Sequence, residues 1–190
     1  MKDRIRKEAL QQRNSISLED RIIKSTAIML NLFQLPEFKK AQNVIIYNSI
    51  GSEVRTEHLI RDMGEFKTII VPVMVDCCIE LSELINYDAQ IPGRYGIKEP
   101  KIKRPKTLED ADIAIIPGIV FDIHGNRIGH GCGYFDRFLR GSSIVKVGLA
   151  YELQVKKAVP YRPKKDVKMD IIITEDRIIT VGMNNVLTYY

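Results

Sequence analysis

The sequence predicts an α/β fold of layered type around a largely parallel sheet, and three observations carry that expectation. Five short β-branched runs, Val44–Tyr47, Thr68–Val75, Ile113–Pro117, Ile144–Ala150 and Asp170–Thr174, stay apolar through successive residues, as strands covered on both faces do. Helix-like segments separate most of these runs, and strands alternating with helices argue for layers. The chain of 190 residues is 45% hydrophobic and 28% charged, which suits one domain over residues 1–190 with its own core and excludes a disordered or fibrous protein.

Residues 2–14 read as a surface helix with a thin apolar stripe of Ile5, Ala9 and Leu10 and a wide basic face. Ser17 followed by Asp20 reads as a capping box opening a second helix. Its apolar stripe is Ile22, Ile23, Thr26, Met29, Leu30 and Phe33, and it stops before Pro36. Thr56–Met63 ahead of Gly64, Tyr134–Leu139 ahead of Gly141, and Tyr151–Val159 ahead of Pro160 are the further helices. Ile79–Ile85 reads as an extra strand, and Tyr87–Arg104, rich in Pro and Gly, as an irregular excursion over the surface.

The net charge of +5 points to an anionic partner, for which nucleic acid, a phosphate ligand and a polyanionic metabolite all qualify. No apolar stretch approaches the ~18 residues of a membrane span, and the N-terminal MKDRIRKEALQQR has no signal-peptide core. A cytoplasmic protein with no membrane partner is expected. Three cysteines, with Cys77 and Cys78 adjacent, cannot build a disulfide framework. The adjacent pair reads as buried packing.

Chemistry concentrates in Pro117–Asp136, PGIVFDIHGNRIGHGCGYFD. Gly129, Gly131 and Gly133 stand at alternate positions before a predicted helix start, where glycines let backbone N–H groups approach an anion and the helix end adds positive potential. The loop reads as a phosphate cradle or as a structural turn; it contains neither a GxGxxG fingerprint nor a GxxxxGK[ST] loop. Its neighbours favour the cradle, because Arg127 can contact a phosphate, Tyr134 can stack on a ring and Asp136 can hold Mg²⁺. His124, His130 and Cys132 match no zinc spacing, and no base for a nucleophilic Cys132 is evident.

The string G-N-R-I-G-H-G-C-G-Y-F-D-R-F-L, residues 125–139, resembles the GxRLGxGxGYYDRFL signature of the 5-formyltetrahydrofolate cyclo-ligase (5,10-methenyltetrahydrofolate synthetase) family. The resemblance continues in order along the chain. Lys2 and Arg6 stand in a K-x-x-x-R helix, Pro36–Phe38 in LPEF, Gly51–Thr56 in GxEVDT and Gly96–Pro100 in GI-x-EP. Pro117–Asp122 stands in PGxxFD, Gly148–Gln154 in GLAYxxQ and Asp170–Glu175 in DxxxTE. The resemblance implies a three-layer α/β/α sandwich of the NagB/RpiA/CoA transferase-like type with a mostly parallel sheet. It also implies a reaction that spends ATP, with Mg²⁺, to close the N5-formyl group of 5-formyltetrahydrofolate onto N10. A formyl oxygen is a poor leaving group and must first be phosphorylated, which calls for basic residues, a glycine cradle and a metal.

Carried over residue by residue, the resemblance implies that Lys2 and Arg6 reach the ATP phosphates. Arg127 and Ile128, Gly129, His130, Gly131, Cys132, Gly133, Tyr134 and Phe135 form the nucleotide cradle. Asn48 and Glu53 face the folate together with His130–Tyr134; Glu53, Arg127 and Tyr134 are the catalytic candidates, and Asp136 with Asp170 the metal pair. The expected partner is a reduced folate, the expected state a monomer or weak homodimer, and nucleic acid is not expected. Arg55, His130, Cys132 and Lys165-Asp166 stand where the family usually has Asp, an aromatic or Arg, Gly or Lys, and His-Asp. These departures leave open another pterin, or a thiamine-like formyl compound, as substrate, and Arg55 as a carboxylate-tail contact. A basic RNA-binding protein is a further alternative, although the sequence has no RNP, KH or zinc-knuckle signature.

Overall fold

The structure, a computed structural model, describes residues 1–182 and 186–188. Its helices are α1 (Lys2–Asn14), α2 (Leu18–Gln34), α3 (Pro36–Lys40), α4 (Glu57–Met63) and α5 (Tyr134–Phe138). Up to residue 106 the strands are β1 (Asn43–Ile46), β2 (Thr68–Val75), β3 (Cys78–Glu83), β4 (Gln90–Pro92), β5 (Lys98–Pro100) and β6 (Pro105–Lys106). The second half adds β7 (Ile113–Ile116), β8 (Val120–Asp122), β9 (Arg127–Ile128), β10 (Val145–Leu149), β11 (Val155–Lys156), β12 (Ile171–Ile173), β13 (Arg177–Thr180) and β14 (Val186–Thr188).

The main sheet runs β14-β13-β12-β10-β7-β1-β2-β3-β6. The five apolar runs form its parallel centre, β12, β10, β7, β1 and β2, and antiparallel pairs complete each side. Side chains alternate across a strand. Val44, Ile46, Ile69, Ile113 and Ile115 therefore pack with Ile28, Leu32, Phe38, Leu59 and Ile60 of α2, α3 and α4. Ile45, Ile70, Ala114 and Ile116 pack on the other face with Phe121, Leu139, Met169 and the flank of α5. Because α5 is only five residues long, this second layer is completed by a small sheet, β11-β8-β9, on which α1 lies through Ile5, Ala9 and Leu10. The expected layers are present, and the second is part helix and part strand.

Phe121 locks that second layer. It is fully buried, and a Cβ on either Gly118 or Gly148 would fall 2.4 Å from its ring. The chain passes from β1 to β2 on one side and later returns to set β7 on the other. Such a reversal opens a crevice at the carboxyl ends of the strands, here β1 and β7, where ligands of α/β sheets bind.

Four expectations are corrected. The inward face of α2 is Ser25, Ile28 and Leu32, whereas Ile22, Ile23, Thr26 and Leu30 are exposed. Ser25 belongs inside because its Oγ accepts the Arg55 N–H at 3.0 Å and meets the Tyr151 hydroxyl at 3.3 Å. Tyr151–Val159 is not a helix but a single turn, Glu152–Gln154, followed by β11. The buried Gln154 amide breaks the period: its Oε1 accepts the Tyr151 N–H, and its Nε2 donates to the carbonyls of Gly118 and Ile119. Cys77 and Cys78 are exposed at the β2–β3 turn rather than packed inside. The Tyr87–Arg104 excursion holds an ordered ribbon, β4 with β5.

The N-terminus of α2 forms as expected, with Ser17 Oγ accepting the Asp20 N–H at 3.0 Å. The Asp20 carboxylate answers through the Ser17 hydroxyl at 2.7 Å. Ser17→Ala is expected to cost about 1 kcal/mol, read as a lower urea midpoint with an unchanged slope.

Candidate active site

The crevice at the ends of β1 and β7 is a cavity of about 730 Å³. Tyr47, Asn48 and Glu53 enter it from the segment after β1, Pro117 from the end of β7, and Pro72 and Met74 from β2. The glycine loop and α1 form the remaining walls. Apart from Asp170, every expected site residue lines this space.

Asp122 sets the loop. Its carboxylate is fully buried and accepts the N–H groups of His124 and Asn126 at 2.9 Å each. It also accepts the Asn126 side-chain amide and the Val159 N–H at 2.8 Å each. This tightens the β8–β9 hairpin and aims Arg127, and the loop behind it, into the cavity. Gly131 at φ +110° and Gly133 at φ +66° adopt conformations that side chains resist. A Cβ on Gly131 would also come within 3.4 Å of the Arg6 guanidinium. The five-residue α5 contributes little macrodipole, so the positive potential at this end of the cavity comes from loop amides and guanidinium groups.

The basic residues are built in. Lys2, Arg6, Ala9 and Arg13 stand at helical spacing, and this face of α1 turns inward. Arg6 Nε donates to the Gly129 carbonyl at 2.8 Å, its Nη1 pairs with Asp3, and Lys2 pairs with Asp166. Arg13, which the sequence did not single out, donates to Ser52 Oγ at 3.0 Å and the Gly118 carbonyl at 3.2 Å. Arg127 is 6% exposed; it donates to the Pro117 carbonyl at 3.1 Å and pairs with Asp136 at 3.2 Å. Burial pushes its pKa down while Asp136 and Asp166 raise it, and an arginine so placed keeps its charge. Its buried Nε has no hydrogen-bond partner among the described residues.

Asp136 also accepts the Val167 N–H at 3.0 Å. Asp170 lies elsewhere, beside the start of β10 and β12, where its carboxylate accepts the Lys146 N–H at 2.8 Å and pairs with the Lys146 ammonium at 3.0 Å. The two acids expected as a metal pair are thus separately engaged, and Asp170 does not line the cavity. Asp136 alone still fits Mg²⁺, which commonly binds through one or two carboxylates plus substrate phosphates and keeps several waters. Asp166, which the sequence marks only as the acid of the Lys165-Asp166 pair, also lines the cavity. Burial would raise its pKa, but Lys2 and the Arg162 backbone and guanidinium outweigh this and hold it low.

On the opposite wall, Glu53 is 6% exposed. Its Oε2 accepts the Ile50 N–H at 3.1 Å, and its Oε1 lies 3.2 Å from His130 Nε2. Asn48 donates to Gln90 Oε1 and the Lys98 carbonyl at 2.7 Å each, while its buried Oδ1 has no partner among the described residues. The Tyr134 and Tyr95 hydroxyls stand 3.4 Å apart. That contact is the main reason the Tyr134 pKa is pushed up to about 12, so Tyr134 is a proton-bearing donor at neutral pH and not a base. Tyr95 and Ile97 reach the cavity from the Tyr87–Arg104 excursion, which no local sequence signal connects to it. Arg55 pairs with Glu57 and lines neither this cavity nor its neighbour, which favours a structural role over a contact to a carboxylate tail.

A second cavity of about 860 Å³ shares Asn48, Ile50 and Tyr95 with the first. Arg61 and Lys98 line it, lying 4.4 and 5.1 Å from the Tyr87 ring. Among the described residues, no group of three or more His, Cys, Asp or Glu could hold a metal by itself, and no helix is long and apolar enough to cross a membrane.

Residues 1–175 match the 5-formyltetrahydrofolate cyclo-ligase family. The chain is 29% identical to a probable 5-formyltetrahydrofolate cyclo-ligase of Schizosaccharomyces pombe, over 85% of this chain and 90% of that protein. It is 30% identical to a 5-formyltetrahydrofolate cyclo-ligase of Haemophilus influenzae, over 79% of this chain and 91% of the relative. Among solved structures, the NMR structure of Aquifex aeolicus 5,10-methenyltetrahydrofolate synthetase superposes with a TM-score of 0.88 at 33% identity, covering 100% of this chain and 97% of that one.

Proposed function

The chain belongs to the 5-formyltetrahydrofolate cyclo-ligase family, and we propose that its cavity closes 5-formyltetrahydrofolate to 5,10-methenyltetrahydrofolate at the expense of ATP, releasing ADP and phosphate. The observation that supports this most is that one space is walled by the glycine loop with Arg127, Arg6 and Lys2 on one side and by Glu53, Asn48 and Tyr134 on the other. Both substrates must meet for the formyl oxygen to take the γ-phosphoryl group.

Arg127, Arg6 and Lys2 hold the phosphates, with the amides of residues 128–135 around them. Charge neutralisation and in-line positioning are most of what phosphoryl transfer asks of a protein. Bound Mg²⁺ would rest on Asp136 and neutralise phosphate charge; Asp170 is not part of that site. Tyr134 covers the pterin and donates its hydroxyl proton in a hydrogen bond. Glu53 accepts the N10 proton as N10 attacks the activated carbon and phosphate leaves with the former formyl oxygen. The unpartnered Asn48 Oδ1 accepts from the pterin edge. The carboxylate tail of the folate extends into the second cavity toward Lys98, Arg61 there being already paired with Asp88.

The test is direct: purified protein with Mg·ATP and 5-formyltetrahydrofolate is expected to generate the methenyl chromophore, one equivalent per ADP. ATP with folate is expected to raise the melting temperature above either alone, a ligand at 100 times its Kd contributing about 2.7 kcal/mol. ATP binding without chromophore or folate binding would exclude the reaction.

A further inference from the structure

We infer that His130 is a positioning residue for Glu53, tying the nucleotide-side loop to the substrate-side carboxylate; this rests on the function proposed above. The two residues lie 77 positions apart, and their side chains meet at 3.2 Å across the cavity. Glu53 is almost wholly buried, with a side chain 6% exposed, whereas the imidazole is 54% exposed. The ring therefore shields one edge of the carboxylate from cavity water while presenting its own edge to a ligand.

The carboxylate is held from two sides by partners with different duties. Oε2 is fixed by the Ile50 N–H of its own loop, so it moves only with that loop. Oε1 answers to His130 alone among the hydrogen bonds of the described residues. The charged groups nearby do not substitute for this contact. Arg13, from α1, attracts Glu53 through space, but its guanidinium is committed to Ser52 and Gly118. Tyr47, at the end of β1, donates its hydroxyl to the Val54 carbonyl at 3.0 Å.

The position of the imidazole is itself prescribed. Arg6 grips the residues on either side of His130, through its hydrogen bond to the Gly129 carbonyl at 2.8 Å and its packing on Gly131. An imidazole here spans the gap to Glu53. Without the ring, Glu53 Oε1 is free to rotate into the cavity while the phosphate contacts of Arg127, Arg6 and Lys2 persist.

The test is steady-state kinetics on wild type, His130→Ala and His130→Gln with Mg·ATP and 5-formyltetrahydrofolate, with melting temperatures measured alongside. A misplacement on the ångström scale costs roughly 10- to 100-fold in rate. His130→Ala is expected to lose that much in kcat with the KM for ATP unchanged. His130→Gln, whose amide can donate to the carboxylate, is expected to recover most of it. An unchanged kcat, an equal loss in both variants, or a loss confined to the KM for ATP overturns the positioning role. A wild-type protein silent on this substrate overturns the proposed function and this inference together, whereas active wild type with insensitive variants overturns the inference alone.

Discussion

Arg127→Ala is expected to lower kcat/KM by roughly 10³-fold or more, the range seen when a charge-neutralising arginine is removed from phosphoryl transfer. The side chain is 6% exposed and spans the Pro117 carbonyl and Asp136. Its removal takes away the positive charge at the base of the cradle and leaves the Asp136 carboxylate facing incoming phosphates uncompensated. Both changes oppose anion binding and act more strongly in a partly desolvated cavity than in water. Arg127→Lys is expected to fall between wild type and alanine, since one ammonium cannot keep the planar, two-pronged contact. Kinetics on protein shown to be folded by its melting transition check both. A wild-type rate in Arg127→Ala would remove this residue from the chemistry.

Asp122→Ala is expected to destabilise the fold by about 3–5 kcal/mol, because several buried donors lose their acceptor at once and each unsatisfied group costs about 1–3 kcal/mol. That is a large part of the roughly 5–15 kcal/mol that holds a domain together. The buried donors are the N–H groups of Asn126 and Val159 and the Asn126 amide, joined by the partly buried His124 N–H. They join the β8–β9 turn to the segment after β11, so the loss also loosens the glycine loop. Asp122→Asn keeps the shape but turns a donor toward donors, and is expected to recover only part of the stability. Urea titrations followed by circular dichroism give both values, and an alanine variant within about 1 kcal/mol of wild type would show that the turn is held by other contacts.

Much of this protein was legible one segment at a time. The apolar strands, the Ser17 cap and the glycine loop are local patterns, and their backbone periods and turn chemistry act within a few residues. The errors have a common source. Ile22, Ile23 and Leu30 make an apolar stripe, but the face that turns in carries Ile28 and Leu32 in the core and Ser25, whose hydroxyl serves Arg55 and Tyr151. Tyr151–Val159 carries a helical period, but the Gln154 amide serves the Gly118 and Ile119 carbonyls of a distant turn. Asp136 and Asp170 both carry metal-binding chemistry, and only the sheet register hands Asp170 to Lys146.

The +5 charge and the motif order already pointed from sequence to a phosphate ligand and to the family. Those features depend on residue type and spacing, which the chain carries whatever its conformation. Tertiary structure alone decided which charges turn inward along α1, that Tyr95 and Ile97 close the cavity from a remote excursion, and that His130 meets Glu53 across 77 positions. Such contacts depend on the crossover that sets β7 beside β1. Geometry over that range is fixed by packing of the whole sheet, which no local window of sequence contains.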